Sequence, residues 1–142
     1  DKHVIFVSLN RQIDPLNGAL EASYRFYTDS YGINAHTFGL DWYQNLGRKF
    51  ILVPGIRYYE QSAADFYGTQ FTGNPKTYSA DYRLSSLDSN SIGIRVLGKI
   101  SENLSISATY ERYTMKGVGE DAAPGASYPS ANMLTVGLNL KF

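Results

Sequence analysis

The chain has 142 residues, and 13 Lys plus Arg balance 13 Asp plus Glu, so the formal net charge is zero. Charge balance argues against a nucleic-acid-binding protein, which normally shows a net basic face, and the absence of cysteine excludes disulfides, thiolate metal sites and cysteine catalysis. Charged residues are only 18% of the chain, and the aromatic residues comprise 12 Tyr, 7 Phe and 1 Trp. This composition fits an outer-membrane β-barrel, in one domain over residues 1–142.

Seven segments carry an apolar residue at every second position, which is the period of a β-strand with one apolar face. Each segment is about ten residues long, the length that a tilted strand needs to cross a bilayer. The sequence therefore predicts an all-β, antiparallel, up-and-down transmembrane barrel with almost no helix. The predicted strands lie at 2–12, 19–28, 33–46, 48–61, 89–101, 103–116 and 130–142.

The apolar positions of the first six strands are predicted to face lipid. In chain order they are Ile5, Val7 and Leu9; Leu20, Ala22, Tyr24 and Phe26; Phe38, Leu40 and Trp42; Phe50, Leu52, Ile56 and Tyr58; Ile92, Ile94, Val96 and Ile100; and Leu104, Ile106, Ala108 and Tyr110.

The last segment alternates without a break and ends on an aromatic residue. A soluble β-protein can also contain such an amphipathic strand. The aromatic carboxy-terminal residue favours the membrane interpretation, because it resembles the signal that barrel-insertion machinery recognises. We expect this signal to consist of Leu134, Val136, Leu138, Leu140 and Phe142.

The connections between the strands differ in length, which predicts their orientation. Short ones lie at 14–18, 45–48 and 101–103, and long ones at roughly 61–90 and 117–130. Because barrels have short periplasmic turns and long outer loops, the last strand is expected to run from the outside to the periplasm. Aromatic residues then fall near both membrane interfaces, as expected for a barrel. Trp42, Phe50 and Phe142 lie at the periplasmic ends, and Tyr24, Phe26, Tyr58 and Tyr110 at the outer ends.

The strand count leaves two interpretations open. Single-chain barrels normally have an even number of strands and both termini in the periplasm, whereas the first strand here is predicted to begin outside. Either residues 78–85 add an eighth strand, or the sequence is the C-terminal part of a larger barrel. We favour the second, with the 78–88 segment extending the next inward strand above the membrane. The chain is then expected to form a curved wall whose edges pair with missing N-terminal strands or with another chain.

Three motifs at ordered positions carry a resemblance to a known family. They are YRFYTDSYGI at 24–33, RYYEQSAADFY at 57–67 and YSADYRLS at 78–85. They resemble the DUF3570 family, bacterial proteins of uncharacterised function thought to be outer-membrane barrels, over roughly residues 20–142. The resemblance implies that an N-terminal half is absent here. It carries over no catalytic residue. It also hints at an envelope redox or electron-transfer system, because members are associated with a small lipoprotein, a thioredoxin-like protein and a flavin transferase.

Charged residues fall out of phase with the apolar positions, so we expect them to line a water-filled lumen. They are Glu21, Arg25, Asp41, Arg57, Arg95, Lys99 and Glu111. One interpretation is a ladder of ion pairs that braces the wall, such as Arg25 with Asp41 on neighbouring strands. The other is a pore lining whose charges select solutes. In the long outer loop lie Asp65, Asp81 and Arg83, and we expect the last two to pair and hold that loop.

Little in the sequence indicates catalysis. His3 and His36 are the only histidines, and there is no nucleophile motif such as G-x-S-x-G and no P-loop. We therefore expect no catalytic residue, no metal and no cofactor. The expected function is a porin-like conduit, or a scaffold for an envelope complex, in the outer membrane of a Gram-negative bacterium. Its expected partners are membrane lipid and the barrel-insertion machinery. The alternatives are a barrel enzyme acting on lipid or surface polymer, a barrel partner of the redox system, and a soluble β-sandwich.

Overall fold

The chain folds into one antiparallel sheet of seven strands, in which each strand pairs with the next. The computed structural model describes residues 1–73 and 76–141. The strands are β1 (Lys2–Ile13), β2 (Gly18–Asp29), β3 (Asn34–Leu46), β4 (Phe50–Gln61), β5 (Leu87–Lys99), β6 (Leu104–Gly117) and β7 (Ser130–Leu140). The helical segments of the described residues are three single 3-10 turns, at Asp14–Leu16, Tyr82–Leu84 and Gly125–Ser127. No helix in these ranges is long and apolar enough to cross a membrane.

The predicted all-β architecture and next-neighbour order are confirmed, and every predicted strand end within the described residues lies within two residues of the observed one. Strand ends coincide with residues that break the ladder. After β1, Pro15 lies in a 3-10 turn and Asn17 adopts a left-handed conformation with φ 48°. After β3, Gly47 has φ 70° at the tight turn into β4, a conformation that glycine adopts at little cost.

The eighth-strand interpretation of residues 78–85 is wrong, and so is the expected extension of β5 over 78–88. Here the chain turns because the Asp81 carboxylate accepts a hydrogen bond from the Arg83 backbone N–H at 3.0 Å and caps the 3-10 turn. Before that turn, Ser79 makes a single parallel bridge to Tyr67. Strand β5 therefore begins at Leu87, and the long connection folds as a loop above the sheet.

The sheet is open. Its backbone ladders run from β1 to β7 through the five strands between them, and within residues 1–73 and 76–141 no ladder joins β1 to β7. The chain thus forms a wall rather than a closed barrel, as expected from the sequence.

The distribution of apolar residues is the reverse of that in a globular protein. The buried apolar residues are few and mostly small: Ala35, Val53, Ala64, Leu87 and Ala123. Large residues of the strands are exposed instead, among them Leu9 at 68% and Ile92 at 64%. The accessible surface is 10028 Å², against about 7,300 Å² for a compact protein of 15.8 kDa. The principal apolar surface is therefore left uncovered by the chain itself.

Candidate functional site

The strand register brings the apolar positions together on one face of the sheet. Leu9 lies opposite Ala22, Ala22 opposite Leu40, Leu40 opposite Ile56, and Ile56 opposite Ile92. Directly opposed residues share a face, so this row crosses five strands without a charged residue. We call the surface built from these and parallel rows the apolar face.

On the side of the long loops, tyrosines mark the boundary of the apolar face. The Tyr58 hydroxyl donates to Glu60 Oε2 at 2.9 Å. The Tyr110 hydroxyl donates to Asn132 Oδ1 at 3.2 Å, and Arg112 Nη1 donates to the same oxygen at 3.2 Å. Each ring lies with the apolar residues while its hydroxyl reaches a polar side chain beyond them. This is the arrangement that suits an aromatic residue to a membrane interface.

His36 belongs to the same boundary. Its Nδ1 is hydrogen-bonded to the Tyr24 hydroxyl at 2.7 Å, and its ring packs against Phe26 with 5.1 Å between centroids. Tyr24 in turn packs against Phe38 at 5.0 Å. The histidine is thus part of an aromatic cluster at the edge of the apolar face.

On the side of the short turns, Trp42 marks the opposite boundary. Its indole Nε1 donates to Gln44 Oε1 at 3.1 Å, and the Gln44 amide donates to the Leu16 carbonyl in the β1–β2 turn at 3.0 Å. On β4, Phe50 lies at the boundary near the short turns and Tyr58 at the boundary near the long loops. These two residues are eight positions apart, about 26 Å along a strand. A tilt of about 40° reduces this to about 20 Å of height, close to the ~25 Å apolar band of membrane barrels.

The predicted insertion segment lies on the apolar face of β7. The exposed fractions are 74% for Leu134, 63% for Val136, 70% for Leu138 and 60% for Leu140. Phe142 lies outside the described residues. Recognition of this segment by insertion machinery stays a prediction.

The opposite face of the sheet is mostly polar, although Val4 and Phe6 of β1 are exposed on it. It holds all seven charged residues that the sequence placed out of phase: Glu21, Arg25, Asp41, Arg57, Arg95, Lys99 and Glu111. Along β5 this polar face is less exposed than the apolar face, since Gly93 and Arg95 are half-buried whereas Ile94 and Val96 are exposed. Side chains converge on the concave side of a curved sheet, so this difference indicates that the sheet curves toward its polar face. The role of these residues as a lumen lining stays a prediction.

One row of the polar face combines carboxylates with glycines. Glu21 lies opposite Asp41, Asp41 opposite Gly55, Gly55 opposite Gly93, and Gly93 opposite Glu111. The two glycines form the floor of a cavity of about 350 Å³, which we call the glycine notch. Its walls include Asp41, Glu111, Arg57 and Arg95. A Cβ atom at position 55 would collide with Asp41 Oδ1, so that carboxylate reaches over the floor.

The ion pair between Arg25 and Asp41, the example given for one of the two interpretations, does not form. Arg25 lies opposite Thr37, whereas Asp41 lies opposite Glu21. Four residues separate Arg25 from Glu21 along β2, which is about 13 Å and too far for contact with Asp41. Among the described residues, the ion pairs within 4.0 Å are Arg83–Asp81 and Lys116–Asp88, both away from the glycine notch.

Two features of the polar face were not found from the sequence. The Tyr43 hydroxyl donates to Glu21 Oε2 at 3.1 Å and fixes that carboxylate across β2 and β3. Arg95 Nε is buried, and no hydrogen-bond partner lies near it among the described residues. Tyr43 lies two residues after Asp41 on β3 and therefore on the same face, and this spacing is the signal that could have identified it. The lack of a partner for Arg95 Nε depends on tertiary packing, which leaves no signal in the sequence.

The two long loops pack against each other through Tyr128. Its hydroxyl lies 2.8 Å from Ser85 Oγ and accepts a hydrogen bond from the Ala123 backbone N–H at 2.7 Å. Its ring also meets Tyr82 edge to face, with 5.9 Å between centroids. The loops are therefore docked on each other at one end of the sheet, a contact that no pattern in the sequence predicted.

The predicted loop residues have local roles. Arg83 Nη2 lies 2.5 Å from Asp81 Oδ2, the pairing that the sequence indicated. The side-chain hydrogen bond from Arg83, and next the one from its backbone N–H, lower the pKa of the Asp81 carboxyl to about 2. Asp65 lies apart from this pair. Its backbone N–H donates to the Tyr31 carbonyl at 2.9 Å, and its carboxylate covers Gly32, which has φ 83° in the β2–β3 turn. Asp65 thus anchors the loop to that turn.

The fold and the two faces define a class: an all-β protein with one open, up-and-down antiparallel sheet, apolar on one side and charged on the other. Within that class the chain belongs to the family described as "Protein of unknown function (DUF3570)", whose family model matches residues 1–140. The match confirms the resemblance seen in the three motifs and extends it to β1. No curated protein and no solved structure matches the chain.

Proposed function

We propose that the protein forms part of the wall of a bacterial outer-membrane β-barrel, and that its polar face lines a water-filled conduit. The observation that carries the proposal is the separation of an apolar from a charged face along most of the sheet. The apolar face is exposed on six of the seven strands and half-buried on β2, and hydrogen-bonded tyrosine, histidine and tryptophan side chains mark its boundaries. An uncovered apolar surface of this size marks an interaction with lipid or with another protein.

Lipid is the better cover for this surface. A β-sandwich would cover the apolar face with a second sheet, but all seven strands belong to one sheet. A protein–protein interface also has no need to place tyrosine hydroxyls at one margin and an indole N–H at the other. A bilayer has two polar margins, and amphipathic aromatic rings suit both.

Water is the better occupant of the polar face. Charged groups within a membrane must face an aqueous cavity or pair with each other. Among the described residues, no carboxylate oxygen lies within ion-pair distance of Arg25, Arg57 or Arg95. These guanidinium groups therefore favour a hydrated lumen over a dry plug. This favours a conduit over a scaffold with no passage.

The proposal is tested with the full-length protein in cell envelopes and in liposomes. We expect the protein in the outer-membrane fraction, soluble only in detergent, with a folded form that migrates differently on gels before and after heating. Purified protein in liposomes should pass a small neutral solute, whereas protein-free liposomes should not. A protein released from envelopes without detergent would contradict the membrane placement, and a membrane protein that passes no solute would contradict the conduit.

A further inference from the structure

The glycine notch has opposite charges on alternating walls. Asp41 on β3 and Glu111 on β6 lie in the row of the floor glycines and are three strands apart, about 14 Å between backbones. Arg57 and Arg95 lie on the two strands of the floor itself, two residues to either side of the glycine row. A bound solute would thus meet carboxylates in one direction and guanidinium groups in the other.

The floor is open because of its glycines. A Cβ atom at Gly93 would lie 3.1 Å from the Tyr110 carbonyl oxygen and 3.5 Å from Glu111 Cγ, so a side chain there would crowd the wall. Glycine at position 55 makes room for the Asp41 carboxylate over β4, and glycine at position 93 leaves the backbone of β5 open to close approach, as is common where a ligand meets a strand.

The charged side chains of the notch do not form ion pairs with each other. No ion pair within 4.0 Å joins its four charged walls in the part of the chain that the structure describes, and Arg95 Nε is buried with no partner there. A buried donor without a partner costs free energy until something accepts its hydrogen bond. The walls therefore offer both donors and acceptors to a solute.

From this geometry we propose that the glycine notch is a binding subsite for a small zwitterionic solute, one that carries both a carboxylate and an ammonium group. Its carboxylate accepts hydrogen bonds from Arg57, a pairing that guanidinium geometry favours, and the charge of Arg95 adds to the attraction. Its ammonium group donates to Asp41, and Glu111 adds negative charge on the opposite wall. A solute with one charge gains only half of these contacts and meets repulsion from the other pair of walls. The inference rests on the proposed conduit and names the class of solute that it would select.

The test compares four probes of similar size: glycylglycine, which is zwitterionic, N-acetylglycine, glycinamide and neutral N-acetylglycinamide. Titration calorimetry on the full-length protein in detergent measures binding, and liposome flux measures passage. We expect glycylglycine to bind about tenfold more tightly than each of the others, because it alone makes charge-assisted contacts with both pairs of walls. Equal binding of all four probes, or binding of none, would overturn the proposal.

Two variants locate the binding to the notch. Asp41→Asn and Arg57→Gln each remove one wall charge and should each weaken glycylglycine binding about tenfold. The matched control is Glu102→Gln, which removes an exposed charge in the β5–β6 turn and should leave binding unchanged. Heat-dependent migration on gels checks that each variant is folded. If one of the two fails to fold, the other still decides, and unchanged binding in a folded variant would refute the site.

The binding and flux measurements distinguish failure of this inference from failure of the proposed conduit. Flux of the probes without selective binding would leave the conduit intact and overturn the notch. Selective binding without any flux would uphold the notch and overturn the conduit. Tight binding of a neutral disaccharide in place of glycylglycine would show a polyhydroxyl site and would also refute the zwitterion assignment.

Discussion

Val96 gives the sharpest residue-level test of the apolar face. It lies on β5 between Leu52 of β4 and Ala108 of β6, with 37% of its surface exposed, and is two residues farther from the long loops than the position opposite Tyr110. If this face contacts lipid and Val96 lies near the bilayer midplane, Val96→Arg should lower the free energy of unfolding by about 2–4 kcal/mol. Urea unfolding in phospholipid vesicles measures the change, with the fluorescence of Trp42, the single tryptophan, as the signal.

A matched control places the same arginine on the other face. Ser107 lies on the polar face of β6 opposite Gly137, which leaves room for a longer side chain. Ser107→Arg should change the free energy of unfolding by less than about 0.5 kcal/mol, as surface substitutions usually do. Equal losses in the two variants would show that the two faces do not differ in their surroundings.

The Asp81–Arg83 pair predicts a pH dependence of the long loop. Because the folded pKa of Asp81, about 2, lies below its ordinary value of 3.8, the pair stabilises the loop above about pH 4. That contribution is lost as the pH falls from about 4 toward 2. Pepsin, which is active in this range, should therefore cleave the 76–86 segment faster as the pH is lowered.

Pepsin itself responds to pH, so each rate is compared with that of Asp81→Asn at the same pH. The asparagine keeps an acceptor for the Arg83 N–H but has no charge to lose. The ratio of wild-type to variant rates should rise toward one as the pH falls to 2. A constant ratio across the range would show that ionisation of Asp81 does not hold the loop.

At the residue scale, the sequence predicted the face of each charged side chain but not its partner. The face follows from period two alone, so Asp41 and Arg95 could be placed on the polar face without a structure. The partner depends on strand register, and the Asp29–Ile33 turn sets the register of β2 and β3. A shift of four residues in that hairpin separates Arg25 from Asp41, and alternation carries no information about such a shift.

At the scale of elements, Tyr128 links the two long loops. Tyr128→Phe removes the acceptor for the Ala123 backbone N–H, whereas Ser85 Oγ keeps its hydrogen bond to the Tyr82 carbonyl at 2.6 Å. A buried donor left without a partner costs about 1–3 kcal/mol. Hydrogen exchange at the Ala123 amide should therefore become about tenfold faster or more, with β5 and β6 protected as before.

The same substitution at an exposed tyrosine provides the control. Tyr78 is 62% exposed in the first of these loops, and Tyr78→Phe should leave exchange at Ala123 unchanged. Unaltered exchange in Tyr128→Phe as well would mean that the hydroxyl does not hold the loops together.

Strands and loops were not equally predictable. Each strand repeats its pattern over at least eleven residues, so errors at single positions average out. The 78–88 segment has alternating apolar residues too, but Asp81 offers its own carboxylate to the backbone and replaces the strand by a turn. The Tyr128 contact to Ser85 spans 43 residues of sequence, and no local pattern records a contact at that separation.

At the scale of the whole molecule, the open sheet has two unpaired edges. β1 has 12 residues and β7 has 11, with most of their side chains exposed. Roughly half of the backbone N–H and C=O groups of an edge strand point away from its single partner. Each such group costs several kcal/mol if it stays unsatisfied in hydrocarbon. The placement of this wall in a membrane therefore requires both edges to pair with other polypeptide.

We predict that β1 and β7 do not pair with each other. The chain has no cysteine, so introduced cysteines report on distance without background. Ala22→Cys with Leu40→Cys joins directly opposed positions of β2 and β3 and should form a disulfide in intact envelopes. Val7→Cys with Val136→Cys, on the apolar faces of the two edge strands, should form none within one chain. Because paired strands lie about 4.8 Å apart, a β1–β7 disulfide as efficient as the β2–β3 one would establish a small closed barrel. Its absence, together with crosslinks from Val7→Cys alone to a second cysteine placed in other polypeptide of the envelope, would establish that the wall is completed from outside these seven strands.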